Sequence, residues 1–359
     1  MIDLTHLDPN FKTVEAKIEG TEFHDVRKAD VDFYGLYNPR TEPVFCRMPI
    51  DVAMEVSERT ALLSQYTSGG QIRFKTDSRR LILRVKQDGR KKTSPHMTSI
   101  AGAGFDVYLA EDGKQRYWAS IMPPVGYGAE WMGATYFPDH QMRDIVLNLP
   151  VYNGLIDLEI GLSEGAVLMP GSKYPDIAPV VYYGSSITEG GCATRPGLIY
   201  EAMLTRRLNI PQMNFGFSGN AKGEKRMAEY VAEQPASVFV VDYDHNATRA
   251  ADLEATHEIF VRTIREKNPT TPILMISRAK VPLTDTERDT INVRKEIIRK
   301  TYENLVQEGD KNVAFLDGQT IYCGDDCTVD GTHPNDLGMK CMADAIEPYL
   351  RKFLFGEEA

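Results

Sequence analysis

The sequence predicts an α/β protein in two parts. Residues 1–170 are expected to form an all-β sandwich of jelly-roll type, and residues 171–359 a three-layer α/β/α domain. Three observations support this. Between about residues 20 and 165, short runs alternate apolar and polar side chains between turn residues, as half-buried antiparallel strands do. From residue 180 on, short apolar runs alternate with helical periodicity, the rhythm of parallel βαβ units. Between the two lies a linker-like stretch, LMPGSKYPDIAP, residues 168–179.

The elements follow in order. IRFKTDSRRLILRVKQDG places Ile72, Phe74, Leu81, Leu83 and Val85 in alternation with charged residues. FDVYLAEDGKQRYWASI sets Asp112-Gly113 between two alternating runs, a hairpin signal. IVLNLPVYNGLIDLEIGL gives two more strands around Asn153-Gly154, and no long amphipathic helix interrupts this part. In the second part VVYYG, PQMNFGF, SVFVVDYD, PILMIS and VAFLDG read as strands. GLIYEAMLTRRL, KRMAEYVAEQ and LEATHEIFVRTIREK read as helices. A further helix, Asp285 to Gln307, opens with Thr284 and Glu287 as a capping box, and a last one runs from Asp336 to Phe353.

A chain of 359 residues suits two domains, and 42% hydrophobic residues suffice for two cores. The net charge of −10 argues against nucleic acid or an anionic membrane as partner. No apolar run approaches the roughly 20 residues that span a bilayer. MIDLTHLDPNF has neither a basic nor an apolar signal region. A cytoplasmic chain is therefore expected, or a secreted or periplasmic one if a leader has been removed. Five cysteines (Cys46, Cys192, Cys323, Cys327 and Cys341) are no disulfide framework. Cys323 and Cys327, with Asp325, Asp326 and His333 nearby, make a poor zinc signature. Free or locally paired thiols, and no metal, are expected.

In a doubly wound sheet, ligands bind beyond the carboxyl ends of the strands. Four loops there hold complementary chemistry. GSSIT offers a hydroxyl at Ser186, and DGTHPN offers an imidazole at His333 with Asp330 three residues before it to orient the ring. NFGFSGN offers the unobstructed N–H of Gly219, and DHNA the amide of Asn246. With the N–H of Ser186, these supply a nucleophile, a base, an orienting group and oxyanion donors.

These motifs resemble the SGNH, or GDSL-type, serine hydrolases. GSSIT stands where that family has its Gly-Asp-Ser block, which maps the nucleophile to Ser186 and leaves Ser185 in place of the usual Asp. NFGFSGN is similar to the second block, with its glycine at Gly219. DHNA is similar to the third, with its Asn at Asn246, although DHN replaces Gly-x-Asn. DGTHPN matches the Asp-x-x-His block at Asp330 and His333. The resemblance covers residues 178–355 and implies a flavodoxin-like domain, ester hydrolysis and no cofactor. The preceding sandwich and GGCATRPG further resemble bacterial carbohydrate esterases, implying a short acyl group, acetyl first, on a small-molecule or oligosaccharide ester.

The same residues admit rival readings. GFSGN approaches the α/β-hydrolase elbow at Gly216 and Ser218, but Asn220 breaks it. A non-catalytic glycan-binding protein on a hydrolase scaffold is opposed by the filled catalytic positions. A lipase or acyltransferase would use the same residues. Arg195 either meets a polar substrate group or is a salt-bridged loop residue. Trp118, Trp131 and Tyr127 form either a sugar-stacking platform or core packing, and WMGATYFP, residues 131–138, is expected as a loop nearing the site. Asp244 and His245 are expected to restrict the pocket, and His140 and His257 to lie on the surface or a helix face.

Overall fold

The structure, a computed structural model, describes residue 8 and residues 13–89 and 94–357. The first part contains β1 (Thr21–Asp25), β2 (Asp32–Tyr34), α1 (Ile50–Val56), α2 (Glu58–Ser64), β3 (Gln71–Thr76) and β4 (Arg80–Gln87). There follow α3 (Ser99–Ala103), β5 (Phe105–Glu111), β6 (Lys114–Ile121), β7 (Glu130–Tyr136), β8 (Arg143–Asn148), β9 (Leu155–Ser163) and β10 (Met169–Pro170). The strands form two antiparallel sheets, in orders β1-β9-β4-β7 and β10-β3-β8-β5-β6, with β2 beside β3. Their apolar faces share one core containing Phe74, Leu83, Phe105, Trp131, Leu147 and Ile160. The β5–β6 turn takes positive φ at both Asp112 (50°) and Gly113 (76°), as a tight hairpin requires. By contrast, β8 and β9 flank Asn153-Gly154 but lie in opposite sheets, as do β3 and β4. The chain changes sheet at these turns, so sequence neighbours face each other across the core.

The second part contains β11 (Val180–Gly184), α4 (Tyr200–Leu208), β12 (Gln212–Gly216), α5 (Lys225–Ala232), β13 (Val238–Asp242) and α6 (Ala250–Lys267). It continues with β14 (Ile273–Ile276), α7 (Asp285–Gln307), β15 (Val313–Leu316) and α8 (Asp336–Phe355). All five strands are parallel, in the order β12-β11-β13-β14-β15. This is the flavodoxin-like order, with its switch point at β11. Every residue of β11 and β13 is buried, which explains why β11 and the first four residues of β13 are apolar; β13 ends in the buried Asp242. Helix α4 packs with α8, while α5, α6 and α7 pack side by side. At the start of α7, Thr284 Oγ1 accepts from Glu287 N. The Glu287 carboxylate turns instead to Leu283 N and Lys280, so only half of the expected capping box forms.

Packing does not follow the 170/171 position. Met48, Ala53, Ala61, Leu63, Tyr66, Val151 and Tyr152 join the core of the α/β part. Arg47, 2% exposed, donates to the carbonyls of Leu63 and Tyr66 on its own side and of Asn214 and Gly216 on β12.

Candidate active site

The site forms where β11, β12 and β13 end. Gly184 closes β11, and a Cβ there would stand 2.0 Å from Thr188 Oγ1, so only glycine admits the tight turn that follows. Ser185 is fully buried. Its Oγ accepts from Ile187 N at 3.2 Å, its N–H donates to Asp242 O, and its carbonyl accepts from Glu189 N. A hydroxyl therefore suffices at 185, because it closes its own turn.

Ser186 Oγ then lies 2.8 Å from His333 Nε2, and His333 Nδ1 lies 2.7 Å from Asp330 Oδ2. The other Asp330 oxygen accepts from Thr332 N and His333 N. Burial raises the Asp330 pKa, but these N–H donors and the imidazole outweigh it and hold the carboxyl down at about 2. Val329 N donates to His333 O, closing the loop on itself.

Two backbone donors belong to residues that line the same cavity. Neither the Ser186 N–H nor the Gly219 N–H is donated to another described residue. Gly219 holds φ at +67° with open space where a Cβ would be. One Asn246 amide N–H goes to Phe217 O at 2.9 Å, leaving the second. A cavity of about 470 Å³ opens over these groups, lined among others by His96, Met97, Tyr152, Cys192 and His245.

The expected substrate contacts divide. His245 lines the cavity, and its Nε2 is buried with no partner among the described residues. Burial, then the charges of Arg278 and His333, hold its pKa well below the ordinary value. Asp244 turns away and is gripped by Arg278 and Arg294. Arg195 does not line the cavity: it is ion-paired to Asp106 at 2.7 Å and bonded to Tyr108 Oη, joining the two parts. Trp131 is 6% exposed, packs on Phe105 and donates to Gln87, and it belongs to strand β7 where a loop was expected. Trp118 and Tyr127 also pack against the sandwich core, so these three residues form no platform at the cavity. His140 is exposed, but His257 is buried between α6 and α7, bonded to Thr301.

Sequence reasoning missed the cradle beneath Ser218. Glu189 is fully buried, accepts from Ser218 N at 2.7 Å and from its hydroxyl, and lies 3.5 Å from Arg47. Burial pushes its pKa up to about 7 against the pull of Arg47 and Ser218. Tyr152 Oη donates to Ser186 O and pairs with Ser218 Oγ. The sandwich half adds His96, whose Nε2 is 3.5 Å from Asp330 Oδ2. A charged residue inside the glycine-rich GSSITEGG was the available signal for Glu189.

A hydroxyl, an imidazole and a carboxylate in hydrogen-bonded series, beside unspent N–H groups on a flavodoxin-like sheet, suit an enzyme that cleaves esters. The chain belongs to the SGNH, or GDSL-type, hydrolases, a family of esterases and acylhydrolases. Residues 178–351 match the GDSL-like lipase/acylhydrolase family, and residues 21–168 match the N-terminus of the SGNH-hydrolase type of esterase. A Bacteroides ovatus structure described as a GDSL-like lipase is 29% identical, with a TM-score of 0.85 over 93% of this chain and 98% of that one. A salicylyl-acyltransferase of a tetracycline biosynthetic pathway shares the fold at 22% identity, with a TM-score of 0.75 over 92% and 96%. So does an acetyl xylan esterase of the rumen bacterium Butyrivibrio proteoclasticus, at 14% identity and a TM-score of 0.57 over 93% and 99%. No curated protein matches the chain. Among the described residues, no helix is long and apolar enough to cross a membrane.

Proposed function

We propose that this chain hydrolyses short-chain acyl esters, acetyl first, carried on carbohydrates. The observation that supports the reading is the series Asp330–His333–Ser186, at 2.7 and 2.8 Å, beside the free N–H groups of Ser186 and Gly219. His333 Nε2 takes the Ser186 proton as Oγ attacks the ester carbonyl. The oxyanion is met by the two N–H groups and the Asn246 amide. The imidazolium, stabilised by Asp330, then protonates the departing sugar hydroxyl, and water repeats the cycle on the acyl-enzyme. Ser94, His96 and Thr332 set hydrogen-bonding side chains suited to sugar hydroxyls into a cavity lining that is otherwise largely apolar. The fold shared with the acetyl xylan esterase points the same way.

The test is hydrolysis of acetylated oligosaccharides and of aryl esters of rising chain length. Ser186→Ala is expected to lower kcat by on the order of 10⁴-fold or more, and Asn246→Ala by about 100-fold. Unchanged turnover by Ser186→Ala would sink the reading. Product analysis with an added alcohol separates hydrolysis from acyl transfer.

A further inference from the structure

The fold gathers three thiols that the sequence separates. Cys323 stands just before the turn Asp325–Cys327, Cys327 is its last residue, and Cys341 comes from the second turn of α8. Their sulfurs lie 3.5 Å (Cys323–Cys327), 3.1 Å (Cys323–Cys341) and 4.0 Å (Cys327–Cys341) apart. Three thiolates around one zinc at about 2.3 Å require sulfur separations of about 3.8 to 4.0 Å. Shifts of less than an ångström bring the triangle to that size. Cys327 is fully buried, Cys341 is 9% exposed and Cys323 is exposed, so the triangle is walled below and open on one side.

We propose that Cys323, Cys327 and Cys341 form a three-thiolate site for a thiophilic divalent cation of the zinc class, its fourth position open to water. Binding displaces the three thiol protons to solvent and involves no change of oxidation state. C-x3-C is a poor zinc signature because no second Cys or His pair accompanies it in the sequence. In place of a pair, helix α8 brings a single third thiol, Cys341, from 14 residues downstream of Cys327.

The position gives the site a structural consequence. Asn335 N donates to Cys327 O at 3.0 Å, and Asn335 Nδ2 donates to Asp326 O. These bonds form the root of the loop bearing Asp330 and His333. A cation here ties that root to α8. The site does not depend on the proposed ester chemistry, and its test reads metal directly.

The full-length protein is reduced with a phosphine, stripped with a chelator and titrated with zinc against a chromophoric competitor. One zinc per chain is expected, weakened on the order of 100-fold or more in Cys341→Ser and in Cys323→Ser. Cys46→Ser should bind as the parent does. Cobalt(II) should give a thiolate charge-transfer band that Cys341→Ser lacks. Cys323 is exposed, so its variant keeps the test valid if Cys341→Ser fails to fold. The proposal is overturned if the reduced protein takes up no zinc, or if both serine variants bind as tightly as the parent. It is equally overturned if a Cys323–Cys341 disulfide survives the phosphine.

Discussion

Ser186 and His333 meet across 2.8 Å from two loops held in opposite ways. The Ser186 turn is buried: Gly184 admits it and Ser185 closes it locally, and Glu189 with Arg47 links it further to Ser218 and to the other half of the chain. The His333 loop is part-exposed and holds itself, through Asp330 and the Val329–His333 backbone bond. The first loop adds to its local bonds an ion pair to a residue 142 positions away, whereas the bonds that close the second span three to four residues. Damage to the first should therefore register in global stability, and damage to the second in turnover.

The largest effect should come from the local loop. Asp330→Asn keeps the shape but cannot hold the imidazole in the right tautomer, so kcat is expected to fall by about 10⁴-fold with little change in Tm. Since the Asp330 carboxyl is held at about 2, its protonation should contribute little to the pH–rate profile above about pH 4. A Tm drop comparable to that of a core mutant would contradict the comparison. The distant loop comes next. Arg47→Met strips Glu189 of its cation and leaves β12 carbonyls without a donor, which is expected to cost about 3 to 5 kcal/mol in urea unfolding. If stability holds while turnover collapses, the division drawn here is wrong.

A smaller effect tests burial away from both loops. Burial pushes the His257 pKa down to about 3, so on acidification the unfolded chain takes the proton first. Its stabilising contribution is full above the ordinary histidine value and is lost as pH falls from about 6.5 toward 3. His257→Phe should flatten the decline of stability across that window. Urea midpoints at pH 7 and pH 4.5 give the comparison, and an unchanged slope would exclude His257 as its source.

The residues legible in the sequence were those whose position follows from rhythm. Once strands and helices alternate, Ser186, Gly219, Asn246, Asp330 and His333 must all fall at carboxyl ends of strands or just before the last helix. Arg47 and Glu189 were illegible because their contact joins positions 142 apart, and no local pattern encodes it. Residue type misled where address decides. Trp131 and Arg195 were open to a reading as substrate contacts, but Trp131 lies on a strand where a loop was expected and packs into the sandwich core, and Asp106 on β5 claims Arg195. Helix α7 covers the face of α6 that carries His257, which one helix read alone does not reveal.

Arg47 has a consequence for how such a protein can be inherited. The linker at 168–179 looks like a place where evolution could cut and join modules. Yet the guanidinium that satisfies the outer carbonyls of β12 is encoded more than 120 residues upstream of that linker. A recombinant that exchanged the first 170 residues for an unrelated sandwich would keep every candidate catalytic side chain while orphaning Glu189 and the sheet edge. The heritable unit is therefore the pair of halves, and exchange between relatives should preserve an arginine at this place together with the acid it faces.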